Sequence, residues 1–363
     1  MALGTSEDAA SCRRARPSDT AFIVKRALTA HILRPGRLLA LGLVLLAIFV
    51  ALLVIPSNEY IFLPDKAHPV APLVSFAGSK QPAQGGVYFV DVVVRKATLL
   101  ERLFGGLHHG ADLYPASAIN PPGIGDRQLQ QINLEDMQRS QQIAAAVALK
   151  AAGKKVVLRP TGALIDGIQP GMPAVGKLAP EDVLTAVNGT RVRNTKDVFA
   201  AMAKTKIGAV ARFTVLRNKK TLLVPVKTVT SGTKPRRAVV GIFVETALDI
   251  QLPFPVRIDT GNIGGPSAGL AFALQVMEEL GRDVVHGHKI AATGEIFADG
   301  SVGPIGGIKQ KTIGAREAGV DAFLVPAGDN ARDARKYADG LRIIPVESFP
   351  QALHALATLG PST

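Results

Sequence analysis

Between Leu38 and Ile55 the chain reads LLALGLVLLAIFVALLVI, 18 residues without a charge. Such a run cannot form a solvated loop or an amphipathic surface helix. It approaches the ~20 residues that cross a bilayer's hydrocarbon core as one helix. Upstream, Arg13, Arg14, Arg16, Lys25, Arg26, Arg34 and Arg37 outnumber Glu7, Asp8 and Asp19, and an excess of Lys and Arg is retained on the cytoplasmic side. The expectation is a single-pass anchor over 38–55, with a basic cytoplasmic tail over 1–37 and everything after Pro56 outside the cytoplasm. A cleaved signal peptide fits poorly, because the apolar run is long for one and no small-x-small cleavage site follows. No second run of this length appears, which argues against a multi-span transporter.

The rest of the chain has room for two modest domains. With 47% hydrophobic and 20% charged residues, 36 Gly and 24 Pro, it suits a globular α/β protein rather than a disordered one. The net charge of +13 is scattered in short pairs such as Lys154-Lys155 and Arg236-Arg237. Trp is absent and aromatics are 5%, so stacking platforms for nucleic acid are poorly supplied. No nucleic acid is expected; the lipid bilayer is the partner the charge suits. Cys12 is the single cysteine, which excludes an intrachain disulfide and a cysteine-based metal site. His108 and His109 are adjacent, so their side chains diverge, and no acidic residue stands at ligand spacing. Neither a metal nor a cofactor is expected.

Strands are expected at 72–76 and 86–95, with a Gly/Pro/Gln-rich turn between them, and a short helix at 98–104. A loop follows at 108–127. A stronger helix is expected from Asn133, as its cap, to Ala152, with Met137, Ala144, Ala148 and Ala151 on its core face. From Val156 to about Val229 the texture changes to short strands and turns, with one helix over Thr195–Ala203 and strands at 211–217 and 221–226. Gly171-Met-Pro-Ala-Val-Gly-Lys-Leu178 nearly spells a phosphate-binding loop. Leu178 stands where a magnesium-binding hydroxyl belongs, and no strand–loop–helix unit surrounds it, so no ATPase domain is expected here.

The chemistry concentrates in Asn262–Lys311. Strands at 241–245 and 254–259 lead into Asn262-Ile-Gly-Gly-Pro-Ser-Ala-Gly269. Pro266 suits the first turn of a helix. Leu270, Ala271, Leu274 and Met277 form its apolar face, Glu278-Glu279 its polar one, and Gly281 its stop. Ser267 therefore sits where backbone N–H groups are unpaired and the helix dipole is positive. Gly264, Gly265 and Ala268 form the turn that could stabilise an oxyanion. A serine needs a base. His286, His288 and His354 carry no motif of their own, which speaks against a Ser-His-Asp triad. A lysine neutralised by burial can serve, and the turn Gly303–Gly307 is placed to hold one. Beyond it, a helix to Ala318, strands at 322–326 and 341–345 and a helix from Pro350 close an α/β sheet.

Two resemblances follow. Ile168-Gln-Pro-Gly-Met-Pro-Ala-Val-Gly-Lys-Leu-Ala-Pro-Glu-Asp-Val-Leu-Thr-Ala-Val-Asn-Gly189 resembles a circularly permuted bacterial PDZ domain. Gly265-Pro-Ser-Ala-Gly269, Thr293-Gly-Glu-Ile296 and Pro304-Ile-Gly-Gly-Ile-Lys-Gln-Lys311 look like the proteolytic domain of Lon proteases. Together with the anchor, the whole resembles the membrane-bound, ATPase-free Lon-like proteins of bacteria. The implied fold class is an α/β (α+β) Lon-type proteolytic domain, over 60–153 and 236–363, with a mostly-β PDZ domain inserted at 154–232 and one N-terminal transmembrane helix. The resemblance implies Ser267 as nucleophile, Lys311 as base and Thr293 as the residue that hydrogen-bonds the lysine. Lys309, two positions away, points elsewhere. ATP-dependent Lon enzymes usually carry Asp three residues before the serine, where this chain has Gly264. The PDZ resemblance implies an extended peptide added as a strand, in a groove between Leu164, Ile165 and Ile168 and the helix from Thr195. The implied function is a membrane-anchored serine endopeptidase acting on protein or peptide substrates, with ring assembly as a homo-oligomer left open. The competing reading is a non-catalytic PDZ scaffold that binds protein C-termini.

Overall fold

A computed structural model of the chain describes residues 35–79, 85–120 and 124–360. The basic tail before residue 35, with Cys12, lies outside the described residues, as do 80–84 in the expected turn and 121–123 in the expected loop. In chain order the main elements begin with α1 (Pro35–Val54), β1 (His68–Pro69), β2 (Gly86–Phe89), α2 (Asp126–Ala151), β3 (Val157–Ile168) and β4 (Val183–Val187). They continue with α3 (Thr195–Ala203), β5 (Val210–Arg217), β6 (Lys220–Lys227), β7 (Ile242–Gln251), α4 (Gly269–Glu279) and β8 (Lys289–Ala292). The last are α5 (Ile308–Glu317), β9 (Ala322–Pro326), α6 (Asp329–Tyr337), β10 (Arg342–Val346) and α7 (Phe349–Ala357).

Helix α1 belongs to a unit that also takes in Thr98–Leu100. Its 20 residues span about 30 Å at 1.5 Å per residue. Gly36–Val54, with a mean hydropathy of 2.8, is long and apolar enough to cross a membrane. From Gly36 to Val50, and again at Leu53 and Val54, its residues are exposed, while Ala51 and Leu52 are half-buried.

The chain from Ser57 on forms the second unit, interrupted only by 98–100. Its centre is a five-stranded sheet in the order β1-β2-β8-β9-β10. β2, β8, β9 and β10 run parallel; the edge strand β1 is antiparallel. Successive strand residues point to opposite faces, and both faces are covered. Val87, Phe89, Ile290, Ala292 and Leu324 pack beneath α2, α4 and α7. Val90, Ala291, Phe323 and Val325 pack beneath α5 and α6, against Ile308, Ala315, Ala331 and Ala334. All eleven residues of α4 are buried, so Glu278 and Glu279 do not form a solvated face. Glu278 instead accepts from the N–H groups of Val284 and Val285 at 2.7 and 2.8 Å, tying down the loop that leaves the helix.

Helix α2 starts at Asp126, not at Asn133, and its N-cap is Gly125. The run DRQLQQI is rich in Arg, Gln and Leu, which extend a helix readily, so Asn133 lies inside it. Its buried face carries Met137, Ser140, Ile143, Ala144, Val147 and Ala148, while Ala151 is exposed.

Between α2 and α4 the chain builds a second sheet, antiparallel in the order β6-β5-β4-β3-β7. α3 packs on it through Val198 and Ala201, around a core of Ile165, Leu184, Phe213 and Val215. β7 pairs with β3 from Ile242↔Ile168 to Gln251↔Val157. The sheet thus continues beyond residue 232, where the sequence suggested that the inserted module ends.

Candidate active site

Ser267 lies in a 3-10 turn, Pro266–Ala268, that runs directly into α4. The turn is clamped from two sides. On one, Gly265 N–H donates to the Asn133 carbonyl at 2.7 Å, and Ser140 Oγ donates to the Pro266 carbonyl at 3.0 Å. On the other, the Ser267 carbonyl accepts from Gly294 N–H at 2.8 Å and from Thr293 Oγ1 at 3.0 Å. Glycines allow this closeness. A Cβ on Gly264 would stand 2.8 Å from Asn133 Cβ, and one on Gly269 would stand 2.7 Å from Ser140 Oγ. The approach of α2 therefore requires glycine at 264, the position where the resemblance leads one to expect aspartate. Because Gly265 N–H is committed to Asn133, it is not free to receive an oxyanion in this arrangement.

Lys311 stands one turn into α5, whose N-cap, Gly307, has φ 67°. Its side chain is almost fully buried, at 3% exposure. Nζ lies 2.6 Å from Ser267 Oγ and donates to Thr293 Oγ1 at 3.3 Å. Thr293, just beyond β8, is fully buried and spends its own proton on the Ser267 carbonyl, leaving its oxygen as the acceptor for the lysine. Burial pulls the Lys311 ammonium down to about 8, with the Asp91 carboxylate opposing. At pH 7 roughly a tenth of the lysine is then neutral, against well under a thousandth for an ordinary one. The arrangement has what a serine nucleophile requires: a base in hydrogen-bond contact and a group that orients the base.

Three layers meet here. Ser267 precedes α4 on one face of the central sheet, Lys311 is on α5 on the other, and Thr293 leaves the carboxyl end of the strand between them. Lys309, about 200° around the helix, instead pairs with Asp112 at 2.8 Å. His286 and His288 contact Asp283 and Asp321, not the serine. His108 pairs with Glu101 at 2.7 Å.

Two groups of charged residues carried no sequence motif. Asp91 interrupts the apolar run Val87-Tyr-Phe-Val-Asp-Val-Val-Val94, a signal that was available. Its Oδ1 is buried without a hydrogen-bond partner among the described residues. Arg139, on α2, ties Asp136 of its own helix to Glu181 Oε2 at 2.9 Å and Glu245 Oε1 at 2.9 Å in the second sheet's module. Burial raises Glu181 to about 7; it raises Glu295, two residues from Thr293, to about 7 as well, with Glu245 and Asp166 adding to it.

The peptide groove predicted at Leu164, Ile165 and Ile168 needs correction. These residues lie on β3, which is internal: β4 pairs with one side and β7 with the other. Leu164 and Ile165 are buried, and Ile168 packs on the core. On this side the sheet ends at β7, and β6 ends it on the other. Thr195 at the start of α3 meets Thr246 of β7 with their hydroxyls 3.5 Å apart, and Ile242 and Val244 turn toward the core. Among the described residues, no strand pairs with the other edge of β7.

Residues 246–358 match the Lon protease (S16) C-terminal proteolytic domain, and residues 131–228 match a PDZ domain. The chain carries a Lon-type proteolytic domain and a PDZ domain. Lon protease 2 of Bacillus subtilis (strain 168) is 33% identical over 114 residues, covering 31% of this chain and 20% of that protein. The Lon protease of Helicobacter pylori (strain ATCC 700392 / 26695) is 30% identical over 188 residues, covering 50% of this chain and 22% of its own length. The chain thus spans about a fifth of these relatives. The PDZ domain of the SdrC-like protein of Listeria innocua is similar at 19% identity, with a TM-score of 0.22, over 24% of this chain and 96% of that one. The Ser267 turn, Thr293 and Lys311 all fall inside the Lon-type domain.

Proposed function

We propose that this chain is a membrane-anchored serine endopeptidase with a Ser267–Lys311 dyad. The observation that carries the reading is the 2.6 Å contact between Lys311 Nζ and Ser267 Oγ, made by a lysine with almost no solvent exposure. Neutral Lys311 takes the proton as Ser267 Oγ attacks the scissile carbonyl. The ammonium so formed returns it to the leaving amine as the peptide bond breaks. Water, deprotonated by the same lysine, then releases the acyl group from Ser267. Thr293 holds Nζ on line throughout. The dipole of α4, whose positive end lies at the Ser267 turn, favours the oxyanion.

The PDZ module supplies a place for an extended peptide: the free edge of β7, with side chains directed toward α3 near Thr195 and Phe199. The Lys/Arg excess before α1 supports an N-terminus in the cytoplasm and both domains outside it. Substrates of such an enzyme are accessible or already unfolded segments.

The test is cleavage of an unfolded protein such as casein by the purified chain. Ser267→Ala and Lys311→Ala are expected to lose at least ~10⁴-fold in rate, and Lys309→Ala to keep most of it. Equal turnover by wild type and Ser267→Ala would leave only the binding-module reading.

A further inference from the structure

A base that becomes charged inside a dry site needs something to receive that charge. Lys311 has the serine and the threonine as hydrogen-bond partners, and both are neutral. Asp91 stands close by in the fold. Phe89 of β2 pairs with Ala292 of β8, so the chain that continues to Asp91 and the chain that continues to Thr293 leave the sheet side by side at the same end. The residues flanking Asp91 touch the start of the lysine's helix. Val90 shares a core cluster with Ile308, and a Cβ on Gly307 would meet Val92 Cγ2 at 2.8 Å. The Asp91 side chain is 26% exposed, yet its Oδ1 is fully covered and has no hydrogen-bond partner among the described residues.

We propose that Asp91 is a positioning residue for Lys311, its carboxylate stabilising the ammonium that forms when the lysine takes the Ser267 proton. The proposal rests on the Ser–Lys reading. It needs no further reactant: the proton moves from Oγ to Nζ, and Asp91 stays ionised. Three other charged groups bear on it. His68 Nε2 lies 3.7 Å from Asp91 Oδ1 and 3.4 Å from Asp65 Oδ2, so His68 and Asp65 share this corner with the carboxylate, and the Lys311 charge acts on it as well. Burial and Asp65 push the Asp91 carboxyl up, whereas His68, a backbone hydrogen bond from its own N–H and, least, Lys311 hold it down.

Removing this carboxylate has two effects of opposite appearance. The lysine loses a charge that favours its ammonium, so its titration moves to lower pH. It also becomes a weaker base with no counter-charge in the transition state, so the limiting rate falls. A merely structural residue would not produce the first effect.

The experiment follows labelling of Ser267 in the full chain by a fluorophosphonate, in which Oγ displaces fluoride while the lysine takes the proton. The rate is read by mass spectrometry from pH 5.5 to 10. Wild type is expected to rise to a plateau with a midpoint near the lysine value of about 8. Asp91→Asn is expected to shift the midpoint down by about one unit and lower the plateau about tenfold. Asp91→Glu, which keeps the charge, is expected to stay near the wild-type midpoint, and far-UV circular dichroism checks that both variants fold. Asp112→Asn, the partner of Lys309, is expected to leave the midpoint in place. An Asp91→Asn profile that superimposes on wild type would overturn the proposal, and so would equal shifts in Asp91→Glu or Asp112→Asn. Absence of labelling at Ser267 in wild type would instead refute the Ser–Lys reading, and this role with it.

Discussion

Arg139→Met removes the cation that ties α2, through its neighbour Asp136, to Glu181 and Glu245 of the second sheet's module. The four side chains are 16–23% exposed. Taking one partner from such a largely buried network costs about 3–5 kcal/mol, because the other charges are left uncompensated. The orphaned carboxylates can escape by taking protons, and that escape depends on pH. For a glutamate with an ordinary value of 4.5, protonation at pH 8 costs up to about 4.8 kcal/mol, but at pH 5.5 only about 1.4, at 1.36 kcal/mol per pH unit. The loss in Arg139→Met is therefore expected to be about 3–5 kcal/mol at pH 8 and about 1–2 kcal/mol at pH 5.5. The assay is urea unfolding followed by far-UV circular dichroism, since the chain has no Trp to report by fluorescence. Wild type should show a related trend. Glu181 and Glu295 are raised to about 7, so their stabilising contribution is full below 4.5 and is lost as pH rises through 7. A loss below about 1 kcal/mol at pH 8, or an equal loss at both pH values, would refute the reasoning.

Three further outcomes are expected. Gly264→Ala puts a methyl 2.8 Å from Asn133 Cβ; the turn must shift, with a cost of about 1–3 kcal/mol and slower fluorophosphonate labelling of Ser267. Thr293→Val removes the hydroxyl that joins Lys311 Nζ to the Ser267 carbonyl, and a fall of about 10–100-fold in kcat with little change in KM is expected in casein hydrolysis. Phe199→Asp, at an exposed site on α3, should weaken binding of extended peptides, measured by fluorescence anisotropy, while labelling of Ser267 continues at the wild-type rate.

The architecture of the Lon-type domain was accessible from local patterns wherever those patterns are strong. The strand at 322–326 and the helix at 195–203 appear with the bounds expected of them. Boundaries failed where a signal was ambiguous. Asn133 has the chemistry of a cap, but the residues before it are helix formers, and propagation of the helix won. Glu278 and Glu279 suggested a wet face on α4, yet the helix is enclosed and the carboxylate of Glu278 serves as a cap for the following loop. The groove failed for a different reason: strand order is a property of the sheet, and nothing within Leu164–Ile168 records that β7, about eighty residues later, pairs along its length.

The sequence by itself determined the apolar run that can cross a membrane, the glycine-rich turn that exposes Ser267 at a helix start, and the two candidate lysines in one short motif. Those are local properties, set by side-chain volume, φ freedom and hydropathy over a few residues. The motif resemblance already pointed to Lys311 rather than Lys309; only the tertiary structure shows the contact itself, because the side of α5 that carries Lys311 faces the carboxyl end of the sheet while Lys309 turns to Asp112. It alone brought the segment that carries Asp91 to the start of the lysine's helix and Arg139 among its carboxylates. Electrostatic fields act through space between residues that the chain keeps far apart, and burial, which sets their strength, exists only once the layers have packed.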